Sequence, residues 1–193
     1  MAYRGWMRNL PLFVGFVSLL FASDVVAQQC YLLADSGGAN GGNELLTLVD
    51  YTNNDPNTNE QNVGTGAGTN SIEAAVIQPG TGIIFAANGG QLGTIDPFTG
   101  VFTATAQPFG TGSGSDGDVS FSDVDGLAFD AATGQLFGAV RRGGDDVLIE
   151  IDPATGAHIP NAFGAGIDYV VMPEVQNHLD DMDDNTIDHT NDV

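Results

Sequence analysis

The chain has very little positive charge. Four Lys and Arg stand against 25 Asp and Glu in 193 residues, and all four are arginine because the sequence contains no lysine. The formal net charge of −21 repels the phosphates of nucleic acids and the headgroups of anionic lipids. The composition therefore argues against nucleic-acid and membrane-surface partners. It is typical of a solvated extracellular protein, although acidity that serves solubility alone explains it equally well.

Cysteine and long apolar runs are also scarce. Cys30 is the only cysteine, so no disulfide can form within the chain. We expect it to be a small core residue, with an intermolecular bridge as the alternative. The apolar run at 10–22 is shorter than the roughly 20 residues that a membrane-spanning helix needs.

That run belongs to a predicted signal peptide at residues 1–27. Arg4 and Arg8 give a positively charged start, and the apolar run ends in small residues that suit signal peptidase. Cleavage before Gln28 leaves two arginines against 24 acidic residues. We therefore expect a secreted, extracellular protein, with the periplasm as an alternative compartment and no membrane span after cleavage.

The stretch Val124 to Gly156 sets the pattern that the chain repeats. It contains three short apolar runs, VDGLAFD, QLFGAV and DVLIEID, which are closed by AATG, RRGGD and PATG. Such runs predict β-strands. In the last turn Asp152 can accept hydrogen bonds from the backbone ahead, and Gly156 supplies the left-handed residue. A weaker strand expected at 157–163 would complete a four-stranded antiparallel meander.

The same pattern recurs along the chain. Residues 72–77 match 124–129, and their first residues are 52 positions apart. A period near fifty with several strands in each unit is the signature of propeller blades. The other matches are 91–100 with 147–156, 181–188 with 123–130, and 30–35 and 44–50 with the second and third strands of an earlier unit.

These motifs, GLAFDAATGQLFGAV and LIEIDPATG, resemble the blades of secreted bacterial β-propellers of the NHL-like and quinoprotein-like kind. The resemblance implies an all-β fold, a partial β-propeller built of four-stranded antiparallel blades. A closed propeller needs at least four blades, whereas the chain supplies an incomplete blade (28–71), two complete blades (72–123 and 124–180) and the start of another (181–193). We expect residues 28–193 to be a fragment of a longer propeller. Self-association through open blade edges is the alternative.

The connections between the predicted strands are unequal. Four are short and formulaic, with the sequences PGTG, PFTG, AATG and PATG. The other connections are longer and lie at 51–71, 107–123, 141–146 and 164–180. Long loops without structure of their own are usually functional or disordered, and insertions on one face of a repeat protein often mark its binding face. We expect that face to bind an extracellular ligand or protein, with flexible linkers as the alternative.

One set of carboxylates follows the repeat. Glu73, Asp125 and Asp183 occupy equivalent positions near the start of the first strand of each unit, and Asp123 and Asp181 precede the latter two by two residues. In a propeller, first strands line the axis, so the resemblance implies a ring of carboxylates at one end of the channel. Oxygen ligands of this kind suit Ca²⁺. The alternative is that they accept backbone N–H bonds near turns.

Two further motifs are weaker. Asp181, Asp183, Asn185 and Asp192 match ligand positions of an EF-hand loop, but Thr186 stands where that loop needs Gly. A GxGxxG pattern begins at residue 112, in a loop rich in Ser and Asp that has neither a strand before it nor a helix after it. A dinucleotide site requires both. His158, His178 and His189 are widely spaced, and His158 is expected to be an exposed or hydrogen-bonded side chain of an outer strand.

Two function classes therefore stay open. The first is a non-enzymatic module for extracellular ligand binding or adhesion. The second is the remnant of a metal-dependent hydrolase, such as a lactonase, or of a quinoprotein-like oxidoreductase. An enzyme would need His, Asn or Arg beside the carboxylates. Arg141 and Arg142 are expected to pair with Asp145, Asp146 or nearby loop acids, or else to clamp an anionic ligand.

Overall fold

The computed structural model describes residues 30–34, 45–49 and 60–172. The predicted signal peptide and the predicted start of a further blade lie outside these residues. The described part contains thirteen β-strands and no helix, and therefore no helix that could cross a membrane. All of its strand pairs are antiparallel. The predicted all-β class is confirmed for this part of the chain.

The strands form four sheets. In chain order they are β1 (Cys30–Ala34), β2 (Leu45–Val49), β3 (Glu60–Val63), β4 (Ile72–Ile77), β5 (Ile84–Asn88), β6 (Gln91–Ile95), β7 (Phe102–Ala104), β8 (Thr111–Gly114), β9 (Gly117–Ser120), β10 (Val124–Phe129), β11 (Leu136–Val140), β12 (Asp146–Ile151) and β13 (Tyr169–Met172). The sheet orders are β1-β2-β3, β4-β5-β6-β7, β8-β9 and β10-β11-β12-β13. Each strand therefore pairs with its neighbours in sequence, as in a meander.

The two four-stranded sheets repeat one plan. Their first strands, β4 and β10, begin 52 residues apart, as the repeat in the sequence predicts. In β12 buried side chains alternate with half-buried ones, which is typical of a strand with one face on the core. Every residue of β10 is buried. The strand β10 therefore lies in the interior of the described part.

The short turns are built by aspartate. The Asp152 Oδ1 accepts a hydrogen bond of 2.9 Å from the backbone N–H of Ala154, and Gly156 closes the turn with a φ of +88°. Only glycine adopts this backbone conformation without strain. The same arrangement recurs around Asp96 with Gly100 and around Asp130 with Gly134. These turns confirm the predicted hairpin mechanism.

The expected strand at 157–163 is wrong. Only an isolated bridge between His158 and Ile151 forms there, and the fourth strand of the sheet is β13. Pro160 has no N–H to donate, and Asn161 has a φ of +59°, which turns the chain away from the sheet. The chain returns to pair with β12 only at Tyr169.

The expectation that the long connections lack structure is also wrong in three places. Strand β3 lies within 51–71, and β13 lies within 164–180. The connection 107–123 contains the β8–β9 hairpin, so its GxGxxG pattern is part of a β-hairpin. Gly114 lies so close to the ring of Tyr169 that a Cβ there would come within 2.7 Å of it. Glycine thus serves close packing at this position.

The main core lies between the two four-stranded sheets. Strand β4 lies beside β10, and the Phe85 and Phe129 rings meet edge to face at 5.7 Å between centroids. Fully buried members of this core include Leu92, Leu136 and Ile149. A second core, with Leu46, Ile72 and Ile95, packs the sheet of β1, β2 and β3 against that of β4 to β7. Apolar burial of this kind is the main driving force that holds the sheets together.

Candidate metal centre

Glu73 and Asp125 are each carried by a β-bulge. The register of β4 against β5 shifts across Glu73, between Ile72 and Ala74, and the register of β10 against β11 shifts across Asp125 in the same way. A bulge leaves one residue without an opposing partner and changes the direction of its side chain. Bulges are frequent beside functional sites. The two sheets therefore repeat a bulge as well as a strand order, and both bulged residues are acidic.

The structure brings Glu73, Asp123 and Asp125 together. One carboxylate oxygen from each lies within 4.8 Å of those of the other two. Asp123 immediately precedes β10, and Asp125 is the second residue of that strand. Glu73 comes from the adjacent strand β4 of the other sheet. The cluster thus lies at the junction between the two sheets.

Arg141 lies over the same cluster. Its Nη2 is 3.1 Å from Asp123 Oδ2, and its Nε is 3.1 Å from Asp125 Oδ2. The position is fixed by the backbone, because the N–H of Arg141 donates a 2.8 Å hydrogen bond to the carbonyl of Asp123. Three carboxylates and one guanidinium leave a formal charge of two negative units when all are ionised.

Asp125 is the buried member of the cluster. Only 3% of its surface is exposed, and neither carboxylate oxygen accepts a hydrogen bond from the described residues. The Arg141 Nε is near Oδ2 but out of line for a hydrogen bond, so the contact is an ion pair alone. A buried carboxylate without hydrogen bonds is costly. The fold therefore retains an acceptor whose requirements its own donors do not meet.

The electrostatics of the cluster disfavour ionised Asp125. Burial comes first, then a carboxyl–carboxylate hydrogen bond with Glu73 and the negative charge of Glu73; together they raise the pKa of Asp125 from 3.8 to about 7, and Asp123 acts in the same direction. Arg141 lowers the pKa but does not outweigh these effects. Carboxyl groups with raised pKa values at a cluster of like charges are common at functional sites. An additional positive charge would relieve the repulsion.

The arrangement fits a hard divalent cation. Oxygen ligands bind Ca²⁺ at about 2.3–2.6 Å, so two ligands of one ion lie no more than about 5 Å apart. The oxygens of the cluster meet this limit. Carboxylates are also the ligand type that Ca²⁺ prefers, and the ion takes further oxygens from water or backbone. The residues present therefore fit calcium.

Of the five predicted metal ligands, the structure places three together. Glu73, Asp123 and Asp125 form the cluster, whereas Asp181 and Asp183 lie outside the described residues. Sequence reasoning missed Arg141 as a member, although the signal was available. In an antiparallel pair the end of β11 meets the start of β10, which places the residue after β11 beside the one before β10.

Arg142 pairs with a nearby loop acid, which is one of the two alternatives predicted for it. Its guanidinium pairs with the carboxylate of Asp116, a loop acid in the turn of the β8–β9 hairpin, and this contact lowers the pKa of Asp116. The backbone N–H of Arg142 donates to Asp146 Oδ1 at 3.3 Å. His158 is hydrogen-bonded as expected, with its Nδ1 2.7 Å from the carbonyl oxygen of Phe109. Neither residue joins the carboxylate cluster.

No protein-family model matches this sequence, and no curated protein is significantly similar to it.

Proposed function

We propose that this chain is a secreted β-propeller-type module that binds Ca²⁺ at the junction of two blades. Its role is extracellular ligand binding or adhesion rather than catalysis. The calcium site consists of Glu73 from one sheet and of Asp123 and Asp125 from the next. Secretion follows from the predicted signal peptide at 1–27, and the strongly acidic composition agrees with a solvated extracellular protein.

The observation that carries the calcium site is the state of Asp125. It is buried and lies in a cluster of carboxylates, and no N–H or hydroxyl donor of the described residues bonds either of its oxygens. An acidic cluster on a surface has little significance by itself. A buried carboxylate that the protein's own donors leave unsatisfied supports a cation-binding role for this cluster.

The propeller arrangement draws its support from the repeat. The sheets β4 to β7 and β10 to β13 have the same strand order, the same turn chemistry and the same bulge in the first strand. Their first strands are neighbours, as the inner strands of consecutive blades are in a propeller.

Calcium titration tests the site. We expect saturating Ca²⁺ to raise the melting temperature by about 5–10 °C, because a ligand at a hundredfold excess over its Kd contributes about 2.7 kcal/mol. Asp125→Asn removes one charged ligand at almost constant volume and should abolish the rise. Isothermal titration calorimetry should show the same loss of binding directly.

Asp145→Asn is the matched control. Asp145 is an exposed residue in the connection between β11 and β12, and its replacement removes the same charge outside the cluster. It should retain the calcium response of the unaltered chain. Either of two results would disprove the site: no thermal shift with Ca²⁺ in the unaltered chain, or an undiminished shift in Asp125→Asn.

The enzymatic alternative, a hydrolase or oxidoreductase remnant, stays a prediction. The structure adds Arg141 to the carboxylates, but this guanidinium is already engaged by Asp123 and Asp125. Among the described residues, the metal-ligating group contains no histidine. The geometry therefore favours ion binding.

A further inference from the structure

The turn between β6 and β7 presents an aromatic ring to solvent. Phe98 lies at the centre of this turn with 87% of its surface exposed, more than any other large apolar residue in the described part of the chain. Val101, at the end of the same turn, and Ile83, after the β4–β5 turn, are also exposed. Single exposed apolar residues are ordinary, but a group of them is characteristic of an interaction surface.

The second four-stranded sheet provides an internal comparison. Its equivalent turn is built in the same way, since Asp96 and Asp152 each accept the backbone N–H two residues ahead. Where one turn has Phe98, however, the other has Ala154. The other two exposed apolar residues also have smaller or polar equivalents in the second sheet: Gln135 is equivalent to Ile83, and Ala157 is equivalent to Val101. The fold therefore does not require the apolar residues at these positions.

Phe98 and Ile83 border a shallow groove of about 590 Å³. It runs between the β4–β5 turn and the β6–β7 turn, and its lining includes Thr81, Ile83, Asp96, Phe98 and Thr103. An apolar side chain can pack on Phe98 and Ile83, while the carboxylate of Asp96 offers a partner to a cation. The groove is open, which suits an extended polymer better than a small enclosed ligand.

The net negative charge of the chain distinguishes between the possible binding partners of this groove. A second copy of this chain carries the same net charge of −21 and is repelled, whereas a basic segment is attracted. Addition of a strand to the β7 edge is opposed by the N–H of Phe102, which already donates a 3.0 Å hydrogen bond to the carbonyl of Ala67. A bound segment would therefore be held through its side chains.

We propose that the groove beside Phe98 binds a polypeptide segment of another protein, one that carries an apolar anchor residue flanked by Lys or Arg. The aromatic ring supplies the anchor contact, as buried aromatics do at the centres of protein interfaces. The surface is separate from the calcium site. Glu73 and Ile77, at opposite ends of β4, are about 13 Å apart along the strand, and the groove lies beyond Ile77.

A displayed library of random twelve-residue peptides tests the proposal against the full mature chain. We expect the enriched peptides to share an aromatic or aliphatic residue with Lys or Arg around it. Phe98→Ala should weaken the selected peptides at least tenfold, since an anchor contact is worth about 1.4 kcal/mol or more. The variant should fold, because Ala154 occupies the same place in the equivalent turn.

Ile167→Gln is the control, because it removes another exposed apolar side chain outside the groove. It should leave peptide affinity unchanged. The calcium response should be the same in Phe98→Ala as in the unaltered chain, so failure of one proposal does not imply failure of the other. The proposal is overturned by no enrichment, by acidic or uncharged consensus peptides, or by equal binding to Phe98→Ala. It is also overturned if sedimentation shows a dimer that Phe98→Ala dissociates, since the occupant would then be a second copy.

Discussion

At the scale of single residues, Asp125 carries the main conflict of the structure. Its neighbours in β10 are apolar and buried, and replacing it by an apolar residue would suit the core better. Burial without hydrogen bonds is a cost that folding alone does not explain. Arg141 offsets part of the charge but donates no hydrogen bond to either oxygen. A residue that weakens the fold where it stands is expected at a functional site.

The raised pKa of Asp125 predicts an unusual dependence of stability on pH. The folded chain holds this proton up to about pH 7, whereas the unfolded chain releases it near 3.8. The folded state therefore binds more protons in between, and without divalent cations the free energy of unfolding should fall as pH rises through this window. Urea unfolding at pH 5 and pH 8 with a chelator present measures the effect.

Asp125→Asn should reduce this slope. The lowered pKa values of Asp116, Asp152 and Asp168 act in the opposite direction, but their contribution changes below about pH 4 and so lies outside the window. Added Ca²⁺ should restore stability at pH 8. A slope of equal size in the asparagine variant would show that Asp125 is not its source.

At the scale of elements, the β8–β9 hairpin depends on contacts from distant residues. The hydroxyl of Tyr169 accepts a hydrogen bond from the N–H of Asp116 and donates one to the carbonyl of Gly117, both at 3.0 Å. The carboxylate of Asp168 accepts the N–H of Ser113 at 2.7 Å. A two-stranded hairpin is marginally stable alone, so these contacts are what order it.

We expect Asp168→Ala to loosen this hairpin. The change removes the acceptor for the N–H groups of Ser113 and Asn161 and should cost about 1–3 kcal/mol. Hydrogen exchange should show faster exchange at 111–120 than in β11. Asp118→Ala is the control, because among the described residues that carboxylate bonds the Ser113 hydroxyl and no backbone N–H. Equal loss of protection in both variants would contradict the assigned role of Asp168.

The sequence predicts those elements whose signals are local. Across strands β10 to β12, apolar runs alternate with turn residues. The turn at 152–156 can be predicted from its own five residues, because Asp152 can accept backbone hydrogen bonds and Gly156 supplies the left-handed residue. The equivalence of Glu73 and Asp125 also follows from the repeat. All of these features depend on neighbours in the chain.

Other elements depend on contacts between distant residues. Strands β8 and β9 have the sequences TGSG and GDVS, which are poor in typical strand residues, and their packing on Phe121 and Tyr169 is not visible from local sequence. The two β-bulges cannot be recognised in the sequence either, because an acidic residue in second position is ordinary for a strand. The expected strand at 157–163 has apolar residues, but Pro160 and Asn161 interrupt its pairing.

At the scale of the whole molecule, acidity opposes compaction. A net charge of −21 with four basic residues makes the folded chain repel itself at neutral pH. The ion pairs that Arg141 and Arg142 form neutralise little of it. The apolar cores must therefore hold the sheets together against a general electrostatic force.

Salt should therefore stabilise the chain. Raising NaCl from about 0.01 M to about 1 M shortens the Debye length from about 30 Å to about 3 Å, which screens the repulsion. With a chelator present, we expect the melting temperature at pH 7 to rise by several degrees. The increase should vanish near the isoelectric point of about 4.1. A melting temperature at pH 7 that falls with added NaCl would show that self-repulsion is not limiting.

The carboxylate cluster draws Glu73 from the first strand of one sheet and Asp125 from the first strand of the next, with Asp123 immediately before that strand. A single sheet, produced alone, thus holds only part of the cluster. On the proposed calcium site, the smallest piece able to bind the ion is a tandem pair, and each further copy would add one more junction at which carboxylates meet. Duplication of a unit with no activity of its own could in this way create a new property at the moment of joining.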